Sequence, residues 1–254
     1  LSPTALLKAF IRVNRQCSLW LAQYLPNART HSYRVYPEVV QNYLKSEQPA
    51  VVLDVGGGKT CAYADPRLPE WRGALVAVDI APEELRHNTV ADLRMVLDGT
   101  QGYPFADGAV DLITSRSVLE HLSDLDAFLL QASRVLKPGG YFIHWIPCKF
   151  APFAIINSLL PNAVARRVLF FLDESKVGIC GFPVVYDGCY PAAIRRRFAA
   201  HGLHVESLRP SYYQSPYFAF FVPLFLLSSL YEIVLQWLGA ENLCAHVLVV
   251  ARKV

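Results

Sequence analysis

Val51-Val52-Leu53-Asp54-Val55-Gly56-Gly57-Gly58 is the stretch that decides the fold. An apolar run carrying one carboxylate breaks into three glycines. This is the pattern of a buried parallel strand turning into a helix, with glycines where main chain must approach a ligand that any Cβ would obstruct. A second apolar run closes on Asp79, twenty-three residues after Gly56. A strand, helix, strand unit needs about 20 residues before a carboxylate can accept hydrogen bonds from ribose hydroxyls, so both halves of a nucleotide site are present. A glycine run alone would equally serve an ordinary turn; Asp79 and the order of the segments that follow separate the two.

Residues 93–97 form a third short apolar segment, closed by Asp98 and Gly99. Tyr103-Pro104-Phe105-Ala106-Asp107-Gly108 is punctuated as a turn, and residues 109–114 read as a fourth strand. From 124 to 136, Leu125, Phe128, Leu129, Ala132, Val135 and Leu136 have the spacing of one helical face. Ser123 or Asp124 is placed to cap that helix, and Gly139 or Gly140 to stop it. A fifth strand follows over 141–146 and ends at Pro147. Strands alternating with helices predict an α/β fold whose sheet is mostly parallel and covered on both faces.

With the turn before strand four, Ser117-Val118-Leu119-Glu120-His121-Leu122 after it, and Arg134-Val135-Leu136-Lys137-Pro138-Gly139-Gly140 ahead of strand five, the chain resembles the class I S-adenosylmethionine-dependent methyltransferases, in the broad type 11-like group. The resemblance is good over 49–147 and looser over 190–253. It implies a Rossmann-like, seven-stranded, mostly parallel sheet with helices on both faces, and S-adenosyl-L-methionine as cofactor. It places Asp54, Val55, Gly56, Gly57 and Gly58 around the methionine part, Asp79 and Ile80 at the ribose, and Asp98 with Gly99 beside the adenine. Ser115 and Arg116 would border the methyl-transfer site. One departure is Thr60, preceded by Lys59, where the family's loop usually has a third spaced glycine; a threonine there can cap the next helix. A nicotinamide dinucleotide site is the competing reading, but Gly-Gly-Gly-Lys-Thr lacks the G-x-G-x-x-G spacing. A phosphate-binding P-loop is excluded because the glycine it requires at position 53 is Leu53.

Composition agrees with one compact catalytic domain over 1–254: 254 residues, 53% apolar and 18% charged, suffice for a large core. A net charge of +3 is too near balance to argue for nucleic acid. Arg195-Arg196-Arg197 reads as the solvated face of a helix whose buried side is Ile194 and Phe198. The cysteines Cys17, Cys61, Cys148, Cys180, Cys189 and Cys244 include no C-x-x-C pair, so neither a zinc site nor a disulfide framework is expected, and no metal is. Reduced thiols and the lack of a visible signal peptide suggest a cytoplasmic protein.

Three segments surround the cofactor core of 49–147, and two of them, the lid insert and the C-terminal apolar segment, suggest a lipophilic or membrane-presented acceptor. Residues 1–48 predict a helical cap whose first helix carries Leu6, Phe10, Cys17, Leu21 and Tyr24 on one stripe, either covering the cofactor cleft or simply packing. Tyr33, Tyr36 and Tyr43 follow as substrate contacts or core. The insert 148–190, with Phe150, Phe153, Ile155, Ile156, Leu159 and Leu160 before Pro161 and 168–172 after it, predicts two apolar helices. It far exceeds the usual connection of about 2–6 residues and would stand over the carboxyl ends of the strands as a helical lid. Within the C-terminal part, 191–254, the apolar insert 216–238 has Glu232 as its only formal charge. It approaches the about 20 residues of a bilayer span. Pro223 would interrupt a span, and a crossing would strand 243–251, the expected last strand, on the far side. A hairpin dipping into one leaflet, or packed with the lid around an apolar pocket, keeps the sheet whole. Core packing or a dimer interface is the simpler alternative.

Transfer from a sulfonium is an in-line displacement, and a hydroxyl or acidic-carbon acceptor also needs a base. His121, His144 and Tyr190 are the base candidates, with Tyr212 and Tyr213 able to supply a hydroxyl or an aromatic wall. His121 also fits as a family feature unrelated to substrate, and His144 as a residue turned into the helix layer. The expectation is methylation, at oxygen or carbon, of a small lipophilic or membrane-presented acceptor, with peripheral membrane contact. The alternatives are a soluble metabolite or sugar, with the apolar segments used for dimerisation, or a non-catalytic binding protein that keeps the fold.

Overall fold

The structure, a computed structural model, describes residues 2–26, 31–61, 63–64, 68–173 and 182–254. Its centre is β1 (Val51–Val55), flanked by β2 (Ala74–Asp79) and β4 (Val110–Arg116). With β3 (Leu93–Val96), β5 (Leu136–Pro147), β6 (Leu203–Ser211) and β7 (His246–Lys253), the sheet order is β3-β2-β1-β4-β5-β7-β6. Only β7 runs antiparallel to its neighbours. The order reverses between β1 and β4, and in open α/β sheets ligands bind at such a switch point, outside the carboxyl ends of the strands.

Both faces of the sheet are covered, which is why β1, β4 and β7 are almost continuously buried rather than alternating. On one face, α4 (Leu125–Val135) and α7 (Pro191–Ala200) bring Leu125, Phe128, Leu129, Ile194 and Phe198 onto Leu53, Val55, Ile113, Phe142 and Val249. On the other, α2 (Ser32–Glu47) brings Tyr36, Val39, Val40 and Leu44 onto Val52, Leu75, Leu112, Ile143 and Leu248. Each fully buried side chain of this size contributes about 1.5–3 kcal/mol. Asp124 caps α4 as expected, its Oδ1 accepting from the Ala127 amide at 2.9 Å. The arginine run lies on α7 above buried Ile194 and Phe198, with Arg195 paired to Glu241 and Arg197 to Asp187.

Four local expectations are corrected. No helix follows the glycine loop among the described residues before β2. Pro66 and Pro69 withdraw amide donors there and disfavour helix in the residues before them. Tyr63 and Trp71 fill that side of the core instead, the Trp71 indole donating to the Pro49 carbonyl at 2.8 Å. α4 ends at Val135, and β5 begins at Leu136, before the two glycines. Pro138 holds Lys137 extended, and at Gly140 a Cβ would meet the Asp111 carbonyl at 2.9 Å, so this glycine lets two strands approach rather than stopping a helix.

The third correction concerns α1 (Pro3–Ala22), whose buried residues are Ile11, Ser18 and Ala22, not the stripe of large side chains. Ala22 packs with Ala219 and with Phe225 of α8 (Val222–Leu238), and Leu21 is the one member of the expected stripe that is partly buried against them, while Leu6 and Phe10 are about half exposed at 55% and 51%. Asn14 accepts from the Val222 amide, and Arg15 pairs with Asp173 at the end of α6 (Asn162–Leu172). Thus α1 leans on the later helices, and α2 stands beside the cofactor loop. Fourth, Pro223 starts α8 in its first turn, where its missing amide costs nothing, rather than breaking it. Buried Glu232 on α8 accepts from the Gln214 amide at 3.0 Å and from that of Ser215, pinning the chain between β6 and α8. The insert after β5 does form two apolar helices, α5 (Pro152–Leu159) and α6, parted at Pro161. No helix among the described residues is long and apolar enough to cross a membrane.

Candidate functional site

The glycine loop is held by main chain from β2 and by two polar side chains. Gly56 and Gly57 donate to the Val78 carbonyl at 2.8 and 3.1 Å. Gly58 donates to Asp79 Oδ2 at 3.0 Å, and Asp79 Oδ1 accepts from Ala81 at 2.9 Å, so this carboxylate orients the loop with lone pairs left over. Ile80 is exposed beside it. Asn88, fully buried, donates to the Gly57 and Gly58 carbonyls, both at 3.1 Å. The glycines are obligatory for packing as well as shape. At Gly56, with φ +69°, a Cβ would lie 2.2 Å from Val118, and at Gly57 it would lie 2.8 Å from the Ala77 Cβ.

Beside the loop lies a small cavity lined by Tyr36, Asp54, Gly56, Thr60, Tyr63 and Arg116. Tyr63 and Thr114 hydroxyls are 2.7 Å apart, and Thr114 donates to Asp54 Oδ1 at 2.7 Å. Burial raises the Asp54 carboxyl above its ordinary range, opposed by hydrogen bonds from Cys61 and Thr114 and by the Arg116 charge. The Tyr36 hydroxyl is buried and makes no well-formed hydrogen bond among the described residues, with the Thr114 hydroxyl its marginal neighbour. A cation, an anion and an orphaned hydroxyl around one small polar space match a zwitterion better than either charge alone.

The other predicted residues divide by the face of the sheet to which they point. Asp98 closes a turn, its Oδ1 accepting from the Thr100 amide and hydroxyl at 2.9 and 2.7 Å, while a Cβ on Gly99 would crowd Tyr103 and Phe128. Arg116 faces the cavity and lies 4.7 Å over the Tyr33 ring. Its neighbour Ser115 points the opposite way, as alternate strand residues must, and bonds to His144 inside the α4–α7 layer. His144 is fully buried against Phe142, Phe128 and Phe198, and burial lowers it to about 3. Its side chain is therefore placed away from the cavity, and the helix-layer alternative describes it.

His121 is half-buried beyond β4, its Nδ1 2.7 Å from the Pro183 carbonyl. A carbonyl only accepts, so Nδ1 carries the proton and Nε2 is the basic nitrogen. Tyr190 stands at the start of α7 with its ring against Phe150. Tyr212 is buried in the α4–α7 face, and Tyr213 packs against His31. These candidate bases are not brought together. Cys61, Cys148, Cys189 and Cys244 are buried and free, Cys17 is exposed and free, and Cys180 lies outside the described residues.

A family described as "Methyltransferase domain" matches residues 53–144. An uncharacterized methyltransferase of Schizosaccharomyces pombe is 32% identical over 195 residues, covering 70% of this chain and 67% of that protein. The chain belongs to the class I S-adenosylmethionine-dependent methyltransferases. A malonyl-[acyl-carrier protein] O-methyltransferase of Coxiella burnetii is 37% identical over 37% of this chain and 33% of its own length, so the methyltransferase chain spans only about a third of that relative. Among solved structures, the geranyl diphosphate C-methyltransferase of Streptomyces coelicolor A3(2) superposes with a TM-score of 0.54 at 16% identity, covering 87% of this chain and 81% of that one. That likeness is one of fold.

The lining of the cavity carries the charges that the methionine end of the cofactor would require. Arg116 and the unpartnered Tyr36 hydroxyl would hold its carboxylate, and Asp54 its ammonium group. Tyr36 stood in the sequence only as one of three tyrosines without a role, and Tyr63, Thr114 and Asn88 were missed. Asn88 sits in Arg-His-Asn-Thr, where no periodicity marks it; the alternation of β4 did place Thr114 on the face of Asp54.

Proposed function

We propose that this methyltransferase acts on a small lipophilic acceptor met at a membrane surface, methylating oxygen or carbon. The supporting observation is the outward-facing apolar surface of the helices flanking the cleft. Trp20 on α1, Leu159 on α5, and Leu227 and Trp237 on α8 are 60%, 78%, 62% and 83% exposed. Monomeric soluble proteins rarely carry apolar surface on this scale without a use for it. Exposed Arg12, Arg166 and Arg167 stand on α1 and α6, and basic residues beside an apolar helix face suit the interface of an anionic bilayer.

The cofactor supplies an activated methyl on a sulfonium. The chain's work is alignment: Arg116, Tyr36 and Asp54 fix the amino-acid end, Asp79 sets the loop that meets the ribose, and a well-oriented pair gains about 7–11 kcal/mol over free encounter. α5 and α6, placed after β5, would cover the acceptor as a lid. Flotation with vesicles of phosphatidylcholine and phosphatidylserine tests the membrane component. The wild type is expected to rise with the vesicles, and Leu227→Asp with Trp237→Asp to stay below. A wild type that remains in solution as a dimer, with the same substitutions giving monomers, would favour a soluble acceptor and an apolar dimer interface.

A further inference from the structure

Next to the cofactor cavity, on the α2 face of the sheet, a set of rings surrounds polar atoms that have no partner. His246, at the start of β7, is 2% exposed, and among the described residues neither ring nitrogen makes a well-formed hydrogen bond, the Tyr213 main chain giving only a marginal contact. Its ring stacks on Trp145 with centroids 4.6 Å apart, and Phe153 closes it at 5.4 Å. His31 lies 5.4 Å from His246 and 5.0 Å from Tyr213, with its Nδ1 buried and unpartnered. Ser211, paired in register with His246, has a buried hydroxyl without a partner as well. Unpaired buried polar atoms are costly, and four at one place call for a ligand that satisfies them. Arg116 joins this group to the cofactor cavity, lining the cavity, sitting in register beside Trp145 and covering Tyr33.

We propose that these residues form the acceptor pocket, that the acceptor is a flat unsaturated ring bearing a hydroxyl, and that His246 and His31 take its proton. The inference rests on the methyltransferase assignment and deepens it. The rings of Trp145, Tyr33, Tyr213 and Phe153 provide flat walls. Burial holds both histidines neutral, His31 at about 4 with Arg34 adding to the effect, and His246 well below its ordinary value with His31 adding. Neutral imidazoles can accept the hydroxyl's hydrogen bond. The weak Tyr213 main-chain contact opposes the shift at His246, and the Arg116 charge favours oxygen becoming anionic. As the O–H bond breaks toward imidazole, an oxygen pair forms the new O–C bond and the C–S pair stays on sulfur, leaving a neutral thioether. The proton taken by His246 passes to the neighbouring His31 ring, 5.4 Å away between centroids, and half-buried His31 releases it to water.

The test measures labelled methyl transfer to 2-naphthol and to 4-nitrophenol, the latter already ionised at mildly alkaline pH. Wild type, His246→Gln and His31→Gln are compared, with S-adenosylhomocysteine affinity measured by calorimetry as the check on folding. His246→Gln is expected to lower turnover of 2-naphthol by about 10²- to 10⁴-fold, and His31→Gln to lower it less. Turnover of 4-nitrophenol should fall far less than that of 2-naphthol, and affinity for S-adenosylhomocysteine should stay near wild type. Equal losses with both phenols, no loss with either, or no transfer to either phenol by a wild type that binds S-adenosylhomocysteine overturns the proposal. A wild type that does not bind S-adenosylhomocysteine sinks the cofactor assignment, and the pocket falls with it.

Discussion

Gly56 offers a direct test of how the cofactor loop is built. Its φ of +69° lies in the left-handed region, and a Cβ added there would sit 2.2 Å from Val118 Cγ2. The backbone strain of a non-glycine residue is about 1–2 kcal/mol, and overpacking adds about 1–3 kcal/mol. Gly56→Ala should therefore cost about 2–5 kcal/mol, divided between the loop's own stability and its affinity for cofactor. Strain and overpacking separate in a double-mutant cycle, because only the overpacking depends on Val118. Val118→Ala in the Gly56→Ala background should recover about 1–3 kcal/mol and leave the strain behind. Denaturant melts and calorimetric titration with S-adenosylhomocysteine on the four proteins measure both parts. If the two substitutions are simply additive, Val118 does not press on the loop and the geometry argued for it is wrong.

Three further outcomes follow from single groups. Glu120 is 3% exposed, and burial raises its carboxyl from 4.5 to about 8. The folded protein thus keeps a proton that the unfolded chain releases, so this contribution is full below pH 4.5 and is lost as pH rises through about 8, by up to about 5 kcal/mol. Glu120→Gln should flatten the decline of thermal stability above pH 6.5, a range in which buried His144 already matches its unfolded form and adds no slope; an unchanged slope would count against it. Tyr36→Phe should weaken S-adenosylhomocysteine binding by about tenfold, the worth of one hydrogen bond, with an equal or higher melting temperature because an unpartnered buried hydroxyl is removed. Asp79→Ala should abolish detectable methyl transfer while circular dichroism keeps the wild-type spectrum, since it frees the Gly58 amide at the loop and leaves β2 intact.

The core of the fold was legible because its signals are local and repeat with known periods. The runs ending at Asp54, Asp79 and Thr114 could only be buried strands, and the spacing of Leu125, Phe128, Leu129 and Ala132 only a helix face. Failures arose where the same residue types serve long-range packing. Gly139 and Gly140 look like a helix stop, yet the close approach of Asp111 is what needs Gly140. The large residues of α1 look like its buried stripe, yet Ala22, with Leu21 beside it, makes the contact to Phe225 of α8, and Leu6, Phe10 and Tyr24 stay exposed. The glycine loop and Asp79 were readable as a pair from their spacing, and the structure brings them into contact, while Tyr36 and His246 were not: each reaches its neighbours through a strand or helix distant in sequence, and one tyrosine or histidine in an apolar segment resembles any other.

The two unexplained features of the chain are then connected by geometry. A mean hydropathy of +0.26 at 53% apolar content exceeds what the sheet and its two layers absorb, since large side chains of α1, α5, α6 and α8 stay exposed. These helices are also the insertions that surround the carboxyl end of the sheet: α1 and α8 pack on each other, and Arg15 ties α1 to the end of α6 beside Asp173. Exposed apolar surface scattered over the far side of the domain would argue only for tolerance. Concentrated on the elements that frame the crevice containing Arg116 and His246, it would give the lipophilic acceptor proposed above a path from a lipid surface to the methyl group without passage through water, which is how the proposal ties the two together.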